Sequence, residues 1–361
     1  MTARLERLRQ LLGELSVDAM LVSSPENRRY LSGFTGSAGY LLISKDDAVL
    51  ATDFRYVEQA GRQAPAFRVE RIAGDTDWLP NVAVSMKLKR IGFEATSVTF
   101  SQHAALAEVL EGISAGERPE LVPTKGLLVA LRAIKDSIEM EATQRAIDIG
   151  DAAFEKVSAT LQPGMTERYV AWELERSMRE LGAESTSFDI IIASGPNSAL
   201  PHHRPSDREL RATEPIVIDM GARYQGYCSD LTRTLCLGPV DDTFREVYST
   251  VLRAQQYAMA EVTDGMQANA ADGLARTVIE EAGYGDKFGH GLGHGVGLAI
   301  HEFPSVGQRS SDVLTEGMVF TIEPGIYISG WGGVRIEDIV ILENGKARCL
   351  SHARKQAVDA A

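Results

Sequence analysis

Residues 287–302 read KFGHGLGHGVGLAIHE and place His290, His294 and His301 among regularly spaced glycines. The whole chain contains only seven histidines. Glycine lets backbone segments approach closely. The spacing does not match a dinucleotide-binding loop, because Val296 stands where the third glycine is required. Taken alone, the stretch leaves open whether its histidines bind a metal or make ordinary hydrogen bonds.

The predicted hairpin before this stretch carries two acids. Asp219 and Asp230 lie in otherwise apolar strands at residues 216–223 and 226–236, where aspartate is disfavoured. A turn centred on residues 224–225 would place the two carboxylates opposite each other. Such a pair repels unless a proton or a cation lies between its members. The alternative is an aspartate at a strand end whose oxygens accept from backbone amides.

The hairpin after the stretch repeats this arrangement. Glu323 and Glu337 lie in apolar strands, and a turn centred on Gly330 would make them face each other. The alternative for Glu323 is a salt bridge with Arg335. Two facing acid pairs at corresponding places favour a cation site. Four carboxylates and one imidazole suit a dinuclear site for Mn²⁺, Co²⁺ or Zn²⁺.

Each hairpin follows two predicted helices and a loop. The glycines that end these helices recur 101 positions apart, as Gly164 and Gly182 in the first series and Gly265 and Gly283 in the second. This order predicts an α+β domain made of two half-domains that are related by an internal pseudo-twofold.

Strands and helices alternate in the first part of the chain, up to about Val122 and Pro123. The alternation predicts a small α/β domain with a mostly parallel or mixed sheet. We therefore expect an N-terminal domain over residues 1–124 and a C-terminal domain, which carries the acids, over residues 125–361.

Composition excludes several classes of protein. The formal net charge is −13, and an acidic chain gains nothing from counterion release, so nucleic acid is not an expected partner. No run of about eighteen apolar residues occurs, so no membrane span is expected. The three cysteines have no C-x-x-C spacing. They argue against a thiolate zinc site and suit a reducing, cytoplasmic location.

Five motifs give the chain a specific resemblance to a known family. In order they are SGPNSALPH (194–202), VIDMGARYQGYCSDLTRT (217–234), GHGLGHGVGLAIHE (289–302), EGMVFTIEPGIY (316–327) and GGVRIEDIV (332–340). They resemble the M24 metallopeptidase family, which includes aminopeptidase P, prolidase and creatinase. The resemblance implies the pita-bread fold, with a curved antiparallel sheet flanked by helices. The segments RRYLSGFTGSAG and TDFRY are similar to the creatinase-type N-terminal domain.

The resemblance implies two divalent metal ions per subunit, with Mn²⁺ expected first and Co²⁺ or Zn²⁺ as alternatives. The implied ligands are Asp219, Asp230, His294, Glu323 and Glu337. Asp230 and Glu337 would bridge both ions, Asp219 would bind one, and His294 and Glu323 would bind the other.

Further residues match the family's catalytic and substrate-binding positions. Glu323 corresponds to the general base. His202 and His301 correspond to the histidines that position the substrate and stabilise the tetrahedral intermediate. His290 and Arg335 correspond to supporting substrate-binding residues.

His203 departs from the family pattern, in which glycine usually follows the loop histidine. It is a second substrate-binding candidate, and the assignment within the pair His202–His203 stays open. Phe188, Tyr224 and Tyr327 are candidates for a pocket around a proline ring, with core packing as the alternative for each.

The implied reaction is hydrolysis of the bond between an N-terminal residue and proline, by attack of a metal-bridging hydroxide. Expected substrates are short peptides with proline at the second position, and the resemblance implies a homodimer. Xaa-Pro dipeptidase and Xaa-Pro aminopeptidase activity both stay open. The alternatives are a metal-free creatinase-like C–N hydrolase and a non-catalytic partner-binding protein on the same fold. All five ligand types are intact, which argues against both.

Overall fold

A computed structural model describes residues 2–357 of the chain. The chain forms two compact units that divide between Arg132 and Ala133. The division lies within a short helix, Leu127–Ala133, which follows the boundary predicted at residue 124.

The N-terminal unit contains a six-stranded sheet in the order β4-β3-β2-β1-β5-β6. Its strands are β1 (Ala19–Val22), β2 (Tyr40–Ser44), β3 (Ala48–Thr52), β4 (Arg68–Arg71), β5 (Arg90–Glu94) and β6 (Glu120–Thr124). Its helices are α1 (Thr2–Glu14), α2 (Pro25–Ser32), α3 (Val57–Gln63), α4 (Leu79–Ser85), α5 (Phe100–Glu111) and α6 (Leu127–Ala133). The β1–β5, β3–β4 and β5–β6 pairs are parallel, whereas β1–β2 and β2–β3 are antiparallel. The sheet is therefore mixed, one of the two arrangements that the sequence predicts.

The first half of the C-terminal unit begins with two helices and ends with a hairpin. Its helices are α7 (Ser137–Ser158) and α8 (Glu167–Glu180). Its strands are β7 (Ser185–Thr186), β8 (Ile191–Ser194), β9 (Pro215–Met220), β10 (Ala222–Tyr224), β11 (Tyr227–Cys228) and β12 (Leu231–Cys236), with a 3₁₀ turn at Gly195–Ala199. Asp136 and Glu139 form a capping box at the start of α7, which is why the helix begins there.

The second half repeats this order. Its helices are α9 (Asp242–Glu261) and α10 (Ala268–Glu281). Its strands are β13 (Gly293–Gly295), β14 (Glu302–Val306), β15 (Val319–Ile322), β16 (Gly325–Ile328), β17 (Gly332–Arg335), β18 (Asp338–Glu343) and β19 (Lys346–Cys349). No helix among residues 2–357 is both long and apolar enough to cross a membrane.

The repeat has the predicted spacing. Helices α8 and α10 are both 14 residues long, and each begins and ends 101 positions from its counterpart. The strand pairs of this unit are antiparallel. The α+β architecture with an internal pseudo-twofold is thereby confirmed. Separate apolar clusters support the two halves, one under α7 and α8 and one under α9 and α10.

Candidate metal centre

The first hairpin turns one residue later than predicted. Gln225 and Gly226 both have positive φ, 45° and 78°, which is typical of a two-residue hairpin turn. Thr232 consequently lies opposite Asp219, and the prediction that Asp230 directly faces Asp219 was wrong. Asp230 precedes Thr232 by two residues, so it reaches the same face of the sheet and lies diagonal to Asp219.

The second hairpin has the predicted register. Gly325 lies opposite Arg335 in the β16–β17 ladder, and the β15–β18 ladder continues the same register. Glu323 and Glu337 fall between these two ladders, where strand pairing is interrupted. They are opposite each other in that register, as the sequence predicts.

The two hairpins lie side by side and are joined through two threonines. The Thr234 hydroxyl donates to the Arg335 carbonyl at 2.9 Å and accepts from the Arg335 backbone N–H at 3.0 Å. The Glu337 backbone N–H donates to the Thr232 carbonyl at 3.0 Å. This contact brings the acids of both half-domains to one centre.

His294 reaches that centre from β13. Its Nε2 lies 3.4 Å from Glu323 Oε1 and 3.6 Å from Asp230 Oδ2. The strand can approach so closely because glycine precedes the histidine. A Cβ atom at Gly293 would lie 2.0 Å from the Thr321 carbonyl oxygen.

The residues of this centre fit divalent cations. Asp230, His294 and Glu337 can each offer one ligand atom, and these three atoms lie within 4.8 Å of one another. Asp219 Oδ1 is buried and has no hydrogen-bond partner, although a buried carboxylate oxygen ordinarily has one. Oxygen-rich sites with one imidazole suit Mn²⁺, Co²⁺ or Zn²⁺.

Two threonines orient carboxylates of the centre, and sequence reasoning missed both. The Thr232 hydroxyl donates to Glu337 Oε2 at 2.6 Å, and the Thr321 hydroxyl donates to Glu323 Oε1 at 3.1 Å. A signal was available, because Thr232 stands two residues after Asp230 and Thr321 two residues before Glu323. That spacing puts each threonine on the same strand face as an acid.

Arg335 pairs with a different acid from the one considered in the sequence. Its Nη2 donates to Asp219 Oδ2 at 2.6 Å, so the alternative of a salt bridge to Glu323 was wrong. The partner belongs to the other half-domain, and sequence spacing could not identify it.

Burial and mutual repulsion disfavour the charged forms of three carboxyl groups. The pKa of Asp230 is raised well above its ordinary value by burial and then by the charges of Glu337, Asp219 and Glu323. The pKa of Glu337 is raised by burial and then by Glu323 and Asp219. Burial raises the pKa of Glu323 to about 7. Carboxylates in this arrangement need protons or cations.

Two further candidate histidines, His290 and His301, lie around the same centre and favour their neutral forms. The His294 and His301 rings are 4.3 Å apart. Burial lowers the pKa of His301, and so do His294 and His202. Burial, followed by Arg335, lowers the pKa of His290 to about 4.

Tyr327 connects His290 to Arg335. The Arg335 guanidinium donates to the Tyr327 hydroxyl at 2.8 Å, and that hydroxyl lies 2.9 Å from His290 Nε2. Of the aromatic candidates for a proline pocket, Tyr327 and Phe188 line the central cavity. Tyr224 packs against the apolar cluster of the first half-domain instead.

His203 is paired with an acid outside the candidate metal centre. Its Nε2 lies 2.8 Å from Glu167 Oε2, at the start of α8. His202, the preceding residue in the chain, is exposed to the cavity. Glu167 is a further residue that sequence reasoning missed, since nothing in the local pattern distinguishes it from other acids of a helix first turn.

One cavity of about 740 Å³ contains all the predicted site residues. Its lining includes Asp219, Asp230, His294, Glu323, Glu337, His202, His203, His290, His301 and Arg335. Apolar side chains that sequence reasoning did not single out complete the wall, among them Ile190, Ile191, Ile300 and Val306. The lining of the cavity therefore combines acidic and histidine side chains with apolar ones. That these residues line one cavity does not assign a role to any of them, so each role stays a prediction.

Two family models match the chain. The model described as metallopeptidase family M24 matches residues 141–344, and the creatinase/prolidase N-terminal domain matches residues 4–134.

Relatives and solved structures match nearly the full length. A Xaa-Pro dipeptidase of Pyrococcus furiosus is 38% identical over 98% of this chain and 99% of its own. The structure of a Xaa-Pro dipeptidase from Bacillus anthracis is 42% identical, with a TM-score of 0.94 over 99% of both chains. The structure of an X-Pro aminopeptidase from Thermotoga maritima is 38% identical, with a TM-score of 0.89 over 97% of this chain and 98% of its own.

Proposed function

We infer a function from the premise that this chain belongs to metallopeptidase family M24, with a creatinase/prolidase N-terminal domain. We propose that it is a metal-dependent exopeptidase that hydrolyses the bond between an N-terminal residue and proline. The observation that carries the proposal is the cluster of four carboxylates and His294 in one cavity. The names of similar proteins, Xaa-Pro dipeptidase and X-Pro aminopeptidase, supply the substrate class.

Asp219, Asp230, His294, Glu323 and Glu337 would hold the metal ions, with Asp230 and Glu337 shared between them. The orphaned Oδ1 of Asp219 and the raised pKa values of Asp230 and Glu337 support this assignment. When bound, two divalent ions polarise a substrate carbonyl and increase the acidity of water. We propose Mn²⁺ as the native ion, with Co²⁺ and Zn²⁺ as alternatives, since carboxylate-rich sites suit hard cations.

The residues of the chain bind the peptide and move protons. Glu323, whose side chain is 16% exposed, can take a proton from water and deliver it to the proline nitrogen. The water oxygen bonds to the carbonyl carbon, and the C–N bond to proline breaks. His202 and His301 would hydrogen-bond the oxygen that gains charge as the carbon becomes tetrahedral.

Proline has no backbone N–H, so its recognition rests on the shape of its ring. Phe188, Ile191 and Ile300 give the cavity an apolar surface next to the acids. We propose that this surface contacts the proline ring, while His290 and Arg335 support the substrate from the polar side.

The decisive experiment compares Xaa-Pro dipeptides with Xaa-Pro-Yaa tripeptides in the presence of Mn²⁺, Co²⁺ or Zn²⁺. We expect hydrolysis that stops on exhaustive chelation and returns on adding metal back. Hydrolysis that survives chelation would favour the metal-free C–N hydrolase instead. Absence of hydrolysis with every metal would favour a non-catalytic partner-binding protein. The ratio of dipeptide to tripeptide turnover decides between dipeptidase and aminopeptidase.

Two further properties are part of the proposal. We place the protein in the cytoplasm, which its free cysteines support, because a reducing compartment keeps thiols unpaired. We also propose a homodimer, to be checked by light scattering of the purified protein.

A further inference from the structure

Glu167 is a buried carboxylate to which one active-site loop is tied. Its side chain is 0% exposed. Oε1 accepts from the Ser194 backbone N–H and hydroxyl, both at 2.8 Å, and from Asn197 Nδ2 at 3.0 Å. Oε2 accepts from the Ser206 backbone N–H at 3.0 Å and its hydroxyl at 2.6 Å. One carboxylate thus holds both ends and the middle of the loop 194–206.

His203 is the remaining hydrogen-bond partner of the Glu167 carboxylate. Of these partners, it is the one that lines the cavity. Its Nε2 lies 2.8 Å from Glu167 Oε2. Burial alone would raise the pKa of Glu167. The hydrogen bonds from Ser206, Asn197, His203 and Ser194 together have a larger, opposite effect, and the pKa falls to about 2. The carboxylate is therefore ionised, so the imidazole donates through Nε2–H.

His202 depends on its neighbours for its position. Among the residues that the structure describes, its ring has no hydrogen-bond partner, and it is exposed to the cavity. It lies close enough to His290 and His301 to contribute to their lowered pKa values. The backbone on its C-terminal side is held by the bond between His203 and Glu167.

We propose that His203 is a positioning residue, whose bond to Glu167 sets the place of the His202 imidazole against the substrate. This inference rests on the proposed peptidase function. In this role His203 does not contact the substrate and acts only through the loop. A misplacement of about 1 Å in a group that must meet the transition state can lower turnover by about two orders of magnitude.

The test is a double-mutant cycle on the metal-loaded, full-length protein with an Xaa-Pro dipeptide. His203→Ala should lower kcat by about tenfold or more, with KM changed less than about threefold. The same substitution made on top of His202→Ala should cost nothing further, because the group it positions is gone. His203→Gln, which keeps a side-chain N–H, should recover part of the lost turnover.

His352→Ala is the matched control, since His352 is exposed and lies outside the cavity, and it should leave kcat unchanged. Mn²⁺ affinity, measured by calorimetry, should be the same in all variants. An equal loss of kcat from His203→Ala in both backgrounds would overturn the proposal, because His203 would then act independently of His202. Full activity in His203→Ala would overturn it as well.

Hydrogen exchange separates this proposal from the function on which it rests. The backbone N–H groups of the non-proline residues in 195–206 should exchange about tenfold faster in His203→Ala than in the wild type, since a hydrogen bond to a charged group is lost. His203→Gln should exchange more slowly than His203→Ala. Unchanged exchange overturns the positioning role. A wild type with no peptidase activity overturns the proposed function, and the exchange result still decides whether His203 holds the loop.

Discussion

The Arg233 guanidinium lies 2.7 Å from the Asp338 carboxylate, and the two side chains are only 1% and 0% exposed. Each belongs to a strand next to the metal centre, because Arg233 follows Thr232 and Asp338 follows Glu337. Arg233 Nη1 also donates to the Glu337 carbonyl at 2.6 Å. This buried pair joins the two half-domains directly behind a carboxylate of the centre.

Removing one member of this pair should destabilise the protein strongly. Arg233→Met leaves the buried Asp338 with Lys355, 2.6 Å away, as its remaining cationic partner. It also removes the guanidinium N–H donors of the Glu337 and Ala353 carbonyls. The expected loss is about 3 kcal/mol, the lower end of the cost of breaking a buried pair. Chemical denaturation measures the loss. The control is Arg348→Met, whose pair with Glu343 is 53% and 45% exposed and should contribute less than about 1 kcal/mol. Equal effects of the two substitutions would contradict a structural role for Arg233.

Neutralising a carboxylate of the centre should abolish metal binding without unfolding the chain. In Glu337→Gln or Asp230→Asn, a neutral amide replaces a carboxyl group whose charged form is disfavoured by burial and by the neighbouring acids. The metal-free variant should therefore melt at or above the metal-free wild type. Excess Mn²⁺ should raise the melting temperature of the wild type but not that of either centre variant. Glu343→Gln, an exposed acid outside the cavity, is the control. Binding of two ions by either centre variant, measured by elemental analysis, would refute the ligand assignment.

The bonds of Glu167 should contribute stability that disappears in acid. Its pKa falls from 4.5 to about 2 in the folded protein, so the ionised form is the stabilised one. The contribution is fully present above pH 4.5 and is lost as the pH falls toward 2. It amounts to about 3 kcal/mol. The difference in the free energy of unfolding between the wild type and Glu167→Gln, measured by urea denaturation, should therefore decrease from pH 6 to pH 3. A difference that stays constant would contradict a lowered pKa of Glu167.

Asp151 should show the opposite dependence. Burial raises its pKa from 3.8 to about 6, against the effect of the bond from the His352 backbone N–H. The protonated form is favoured in the folded state, so the stability it contributes is present below pH 3.8 and is lost as the pH rises through 6. Asp151→Asn should stabilise the protein by up to about 3 kcal/mol at pH 8 and have little effect at pH 4. Urea unfolding of both proteins at pH 4 and pH 8 measures this difference in stability. Stabilisation by Asp151→Asn at pH 4 but not at pH 8 would contradict a raised pKa of Asp151.

The two hairpins show how far local sequence pattern can determine geometry. Gly330 has the positive φ expected of a turn, and the register predicted from it is correct. In the first hairpin the turn contains Gln225 and Gly226, one residue further along. Moving a turn centre by one residue changes each cross-strand partner by two, so Asp219 lies opposite Thr232 and not opposite Asp230.

The candidate ligands nevertheless line one cavity, because the identity of a buried acid does not depend on the strand register. A shift of two residues keeps each side chain on its face of the sheet. Asp230 therefore still reaches the cavity together with Glu337 and His294.

The amino-acid sequence by itself determined the two half-domains, the strands that carry acids and the histidine–glycine stretch, because these depend on short-range periodicity and turn chemistry. Only the tertiary structure decided which groups hold these acids and histidines in place. Arg335 binds Asp219 across 116 positions, and Glu167 binds His203 across 36. Such pairs form where packed elements leave a buried charge that must find a partner, and nothing local to either residue specifies which partner that is.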